Sequence, residues 1–380
     1  MRNFTNILAS DKERVIGLDI LRGIAILLVM YVHGNILLPN KIIKYFTLPL
    51  NSIDGVSVFF VLSGFLIGGI LLKVINKSGF TIKNILNFWI RRWLRTIPNY
   101  YFILLILIFC QFLIAKDIGQ VNFRYFIFSQ NLYQPHPTFF PEAWSLSIEE
   151  WFYFLFPILT FLLFRSLKNK NKSVIIAAIV FLIIPLLLRI IKYYYHIGVM
   201  DWDLNFRKII ILRLDSLMYG IIGAYISTFR KLFWRKIKKI GLIISGLIIL
   251  FLIIYSSLNI DKPMYETIYH FNLQSIAVLL ALPYFSELKS IKYKTIANIF
   301  TFISLISYSM YLINLTLIRG IAVPSILNFI GLSYGISSFL NVISHLLQFF
   351  LYWFLTIFFS YYIYKYIELP IMNFRNRIKV

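Results

Sequence analysis

Apolar residues fall in ten runs of roughly 20, separated by short polar or basic segments. Runs of that length predict membrane-crossing helices, because about 20 residues rising 1.5 Å each cover a hydrocarbon core of about 30 Å. The predicted spans are 18–38, 53–72, 99–115, 146–164, 174–191, 209–229, 240–257, 266–286, 296–318 and 341–364. The pattern reads as an all-α polytopic integral membrane helix bundle, one transmembrane domain over 1–380 with no appended soluble domain. The first run carries Asp19 and Arg22 and has no small-residue cleavage site, so it reads as a retained span rather than a signal peptide. The segment 116–145 holds Pro135, Pro137 and Pro141, which argue against one continuous helix there.

The basic residues alternate with the spans. Segments 1–17, 73–98, 165–173, 230–239, 287–295 and 365–380 hold 26 of the 38 Lys and Arg residues. By the positive-inside rule both termini and these loops are expected in the cytoplasm. The net charge of +23 belongs to this topology, and no nucleic-acid recognition motif accompanies it. A hydrophobic fraction of 59% exceeds what a soluble core needs and supports the membrane reading. Cys110 is the single cysteine, so an intramolecular disulfide is excluded and no metal site is indicated.

Ionisable groups inside a membrane-length helix are costly and mark function by default. Arg22 and His33 lie eleven residues apart in the first span. At about 100° per residue they share a helix face, about 16 Å apart along the axis. The predicted topology brings further polar residues to the outer level with His33: Asp54 and Ser57, Glu149 and Glu150, Arg213 and Asp215, and Ser307 to Asn314. Glu149 and Glu150 diverge by about 100° on a helix, so one of the two, Glu150 by preference, is expected to face a cavity. The inner side offers Arg91, Arg92 and Arg95, with Arg22 about one turn above the cytoplasmic end of its span. Guanidinium groups suit phosphates, being planar, permanently charged and able to bind through two nitrogens. Arg22 also has a structural alternative, a pairing with Asp19 one turn away. Tyr308 and Tyr311 read as packing residues, Glu368 as part of an ion pair and His345 as interfacial.

These segments together resemble the acyltransferase-3 family of membrane O-acyltransferases. Arg22 and His33 match the family's Arg–His pair, and VFFVLSGFLI (58–67) its second-span signature. RRWLRTIP (91–98) and AWSLSIEEWFYFLFP (143–157) match two further motifs, and the segments 213–220, 307–312 and 367–370 match weaker ones, all in order. The chain departs from the pattern at Ser57, where many members have Asp, and at Asn314, where many have His.

The resemblance implies transfer of an acyl group, usually acetyl, from acyl-CoA to a hydroxyl of a cell-surface or lipid-linked glycan in a bacterial cytoplasmic (inner) membrane. Acyl-CoA is then a donor substrate, with no permanently bound cofactor and no metal; the partners are the glycan acceptor and membrane lipids, not nucleic acid. The residues so assigned are His33 as general base, Glu149 and Glu150 beside it, Arg22, Arg92 and Arg95 for the donor phosphates, and Asp54, Ser57, Arg213, Asp215 and Asn314 for substrate. Ser57 and Asn314 are the expected oxyanion donors. A transporter or flippase for a lipid-linked sugar would also place charges at mid-membrane; it differs by consuming no thioester.

Overall fold

The computed structural model describes residues 14–39, 52–77, 80–116, 119, 121–195, 201–258, 263–331 and 338–377. Of the basic residues counted for topology, Arg2, Lys12 and Lys379 lie outside the described residues. The chain is all-helical over these residues: α1 (Ile16–Gly34), α2 (Gly55–Lys77), α3 (Ile82–Ala115), α4 (Ala143–Leu167), α5 (Lys170–Tyr195), α6 (Asp215–Phe229), α7 (Lys231–Lys236), α8 (Lys238–Ser257), α9 (His270–Glu287), α10 (Lys294–Ile313), α11 (Val323–Phe329), α12 (Ser338–Ile363) and α13 (Leu369–Arg377).

Among the described residues, nine helical stretches are long and apolar enough to cross a membrane. The tenth expected span, 209–229, forms only the 15-residue α6, about 22 Å long. Its first residues are diverted. The Ile210 and Ile211 N–H groups donate to the Asn131 and Leu132 carbonyls (3.0 and 3.4 Å), so the chain enters the helix only at Asp215. The short helix still belongs to the bundle, and α2 packs more extensively on α6 than on any other helix. Their backbones meet at Gly64 and Gly220. A methyl on Gly64 would strike the Leu217 carbonyl oxygen, and one on Gly220 the Val61 carbonyl oxygen. Small residues at helix crossings are how membrane bundles gain close packing.

α3 is twice as long as the span expected at 99–115. It begins at an N-cap, Thr81, whose side chain accepts from the Asn84 N–H, and it carries Arg92 and Arg95 into the bundle ahead of Pro98, while Arg91 stays exposed. α1 and α10 run side by side, with Ser304 bonded to Asp19 at one end and Asn314 to His33 at the other. Beyond Ile313 the helix widens into a π-helical stretch, Asn314–Ala322, before α11. Such widened turns often occur at functional sites.

The segment 121–142 does not remain beyond the end of α3. Tyr100 and Tyr101, about 21 Å before that end, donate to the Tyr125 and Phe126 carbonyls (2.9 and 2.6 Å). Trp151 of α4 donates to the Phe128 carbonyl (2.9 Å). Irregular backbone is tolerated at membrane depth where protein satisfies it, and three aromatic donors do so here. The same segment supplies the residues that lead into α4.

Candidate active site

Two of the cavities among the described residues lie along the bundle, called inner and outer after the predicted topology. The inner one, of about 130 Å³, is lined by Arg22, Arg92, Arg95, Glu149, Tyr308 and Glu368, with Leu62 and Leu66 among its apolar walls. Arg92 pairs with Glu149 at 2.9 Å and its guanidinium sits 4.3 Å from the Tyr153 ring centroid. Glu149 also accepts from Ser63 (3.3 Å) and from Tyr153 (2.9 Å). Arg22 is not held by Asp19, which Arg14 (2.7 Å) and Ser304 (2.7 Å) occupy. Neither Arg22 nor Arg95 makes a hydrogen bond or ion pair among the described residues. Three guanidinium groups thus meet two carboxylates, Glu149 and Glu368, and Glu368 accepts a bond from Ser309 (3.2 Å). A cavity with two guanidinium forks unengaged is chemically suited to a multiply charged anion.

The outer cavity, of about 330 Å³, is lined by His33, Asp54, Glu142, Trp144, Arg207 and Lys208, among others. Arg207 bridges Asp54 (2.9 Å) and Asp203 (2.6 Å), and its guanidinium lies 4.7 Å from the Trp144 ring centroid. Burial opposes the charge on Arg207, but Asp54 and Asp203 hold it protonated well above its ordinary range. Burial likewise opposes ionisation of Asp203, and Arg207 and Lys208 overcome it, keeping the carboxyl below its usual range. Glu142 precedes α4 and reaches the wide turn after α10. Its Oε1 accepts the Leu315 and Thr316 N–H groups (3.0 and 2.6 Å), and its Oε2 accepts the Thr316 hydroxyl (2.5 Å). Burial pushes the Glu142 carboxyl up to about 7 against these bonds.

His33 is oriented by Asn314. The Asn314 amide nitrogen donates to the Met310 and Tyr311 carbonyls (3.0 and 2.8 Å), so its oxygen faces the ring and also accepts from Tyr352 (3.2 Å). The 2.6 Å contact from that oxygen to His33 Nδ1 then requires the proton on Nδ1. The neutral imidazole carries its lone pair on Nε2, the form a general base needs. Arg319 donates to the His33 carbonyl (3.0 Å) and fixes the end of α1.

A family model described as an acyltransferase domain, that of acyltransferase-3, matches residues 15–365. The chain belongs to the acyltransferase-3 family. It is similar to a Staphylococcus aureus protein named "Putative O-acetyltransferase", 32% identical over 170 residues, which is 41% of this chain and 26% of that protein. It is also similar to the peptidoglycan O-acetyltransferase OatA of Listeria monocytogenes, 28% identical over 176 residues, 42% of this chain and 26% of that protein. The match thus spans about a quarter of the length of these relatives. No solved structure matches the chain. With its spanning helices and these bacterial relatives, the chain is a polytopic protein of the bacterial cytoplasmic membrane.

The motif residues of this acyltransferase-3 chain do not form one cluster. Arg22, Arg92 and Arg95 gather in the inner cavity, and His33 and Asp54 in the outer one. Glu149 faces the arginines rather than His33. Glu150, the residue expected to face the site, points to the other side of α4, accepts from Thr96 (2.9 Å) and lines a separate aromatic cleft with Trp93 and Trp151. The 100° offset between neighbours on a helix accounts for the split.

Four residues expected to bind substrate, Ser57, Arg213, Asp215 and Asn314, line neither of these cavities. Asp215 pairs with Arg189 at 2.5 Å, both fully buried. Arg213 sits 3.9 Å from the Phe271 ring centroid and donates to Ser57 (3.2 Å). The Ser57 hydroxyl donates to Asp54 (2.8 Å), and the Asn314 amide hydrogens are committed to carbonyls. Neither is free to serve as the expected oxyanion donor. Glu142, Arg207 and Tyr311 are cavity residues that the sequence reading did not select. Glu142 stands directly before the 143–157 motif, the one signal in the sequence that could have found it.

Proposed function

We propose that this chain is a membrane O-acyltransferase that moves an acyl group, acetyl above all, from acyl-CoA to a hydroxyl of a cell-surface or lipid-linked glycan. The observation that carries this reading is the Asn314-held tautomer of His33 in a cavity stacked beyond an arginine-lined one. Both termini and the basic loops lie in the cytoplasm in this reading. The donor enters there, its phosphates engaging Arg22 and Arg95, with Arg92 beside them.

The acceptor hydroxyl comes into the outer cavity. Its oxygen attacks the thioester carbonyl carbon while His33 Nε2 takes its proton. The C–S bond breaks, an ester forms, and the proton passes from His33 to the departing CoA sulfur. Trp144 and the Asp54–Arg207 pair give the outer cavity a flat apolar face beside fixed polar groups, a combination suited to a sugar. The names of the relatives support the acetyl group and a peptidoglycan-type acceptor.

The test uses membrane vesicles from producing cells, labelled acetyl-CoA, and two readouts, free CoA released and label in glycan. Parental vesicles accumulate both, and His33→Ala vesicles with the same amount of inserted protein accumulate neither above background. Parental rates in His33→Ala overturn the assignment of the base. Parental vesicles that consume no thioester overturn the acyltransferase reading.

A further inference from the structure

The two cavities share wall residues, Val56 and Tyr311. Three helices change cavity at that level. Asp54 before α2 lines the outer cavity and Phe59 the inner, Trp144 of α4 the outer and Ser145 the inner, Leu315 after α10 the outer and Tyr308 the inner. The cavities are therefore stacked end to end, with Val56 and Tyr311 at the join.

Tyr311 is fixed there. Its hydroxyl donates to the Glu142 carbonyl (3.0 Å) and accepts from Ser145 (2.6 Å), and its ring meets Phe59 edge-on at 6.4 Å between centroids. Val56, the other shared wall residue, is buried, and its branched side chain has little rotamer freedom on a helix. With the tyrosine held by hydrogen bonds, Val56 is the shared wall residue whose side chain is held by packing alone.

We propose that Val56 and Tyr311 form the aperture through which the acyl group reaches His33, and that its width selects unbranched acyl groups over those branched next to the carbonyl. This rests on the acyl-CoA reading above. An acetyl or propionyl group presents one carbon chain to the join. An isobutyryl group presents two methyls at once, in a wall that is close-packed and yields little. A single methyl in a restrictive pocket changes discrimination by about 10- to 200-fold.

The experiment measures CoA release in the same vesicles with acetyl-, propionyl- and isobutyryl-CoA. The parent uses the first two and discriminates against the third. Val56→Ala raises the isobutyryl-to-acetyl ratio about tenfold, and Val56→Ile lowers the propionyl-to-acetyl ratio. The second variant keeps the test decisive if the alanine variant does not accumulate. Ratios unchanged in both variants, with acetyl turnover present, overturn the aperture alone. A parent that releases no CoA from any donor overturns the acyltransferase reading and the aperture with it.

Discussion

His33 Nδ1 lies 2.6 Å from the Asn314 side-chain oxygen, and that oxygen is turned to the ring because the amide nitrogen is spent on two backbone carbonyls. The departure from the family pattern at position 314 therefore preserves an acceptor for the ring N–H. What an asparagine supplies here is orientation without charge.

Replacing Asn314 with Leu removes the acceptor while keeping similar bulk. The ring then loses its preferred tautomer, and acyl transfer falls about 100-fold, within the range of general-base contributions. KM for acyl-CoA stays near the parental value, because the arginine cavity is untouched. Asn314→Asp keeps an acceptor and retains more activity than the leucine variant. CoA-release kinetics of the two variants check this; equal, parental rates in both remove Asn314 from the mechanism.

The arginine cavity predicts a different kinetic signature. Arg22 and Arg95 have no protein acceptor among the described residues, so each is available to a donor phosphate. Arg22→Gln and Arg95→Gln raise KM for acyl-CoA about tenfold each, the scale of one charge-assisted hydrogen bond, and flatten its dependence on salt. Titration of the purified variants with CoA by calorimetry reads the same loss without turnover. Undiminished CoA binding in both variants refutes phosphate binding by this pair.

Glu142 makes the outer cavity sensitive to pH. Its carboxyl is raised from the ordinary 4.5 to about 7 by burial. A raised carboxyl means the folded state binds its proton more tightly than the unfolded chain, so this contribution to stability is complete below about pH 4.5. It is lost as pH rises from there to about 7. The melting temperature of the parent, relative to Glu142→Gln, therefore falls between pH 5 and 7.5. Melting curves that track each other across this window show that Glu142 does not titrate there.

Much of the membrane architecture was legible in the chain, because length and hydropathy report spanning helices directly. The motifs also identified Arg22, Arg92, Arg95 and His33 as interior groups. Depth was harder to read. The predicted topology puts the motif carboxylates level with His33 because it starts the span at 146; the helix begins at Ala143, and a helix turn is enough to move Glu149 to the arginines. Beside His33 and Asp54, the other charged groups of the outer cavity come from segments without periodicity, Asp203 to Lys208 and Glu142. Their positions depend on tertiary hydrogen bonds, such as those from the Ile210 and Ile211 N–H groups to Asn131 and Leu132, which hydropathy cannot encode.

The Arg189–Asp215 pair is the clearest structural counterpart to these site residues. Both side chains are fully buried, Arg189 donates also to the Leu212 carbonyl and to Asn272 (3.2 Å), and Asp215 opens the short α6. Removing one partner leaves an uncompensated charge away from water, at about 3–5 kcal/mol. Asp215→Ala is therefore expected to lower thermal stability strongly, while Asp215→Ala with Arg189→Met recovers much of the loss by removing both charges. Donor affinity in the double variant stays parental, since neither residue lines the arginine cavity. A single variant as stable as the parent, or a double variant that has lost CoA binding while remaining folded, contradicts this separation of scaffold from site.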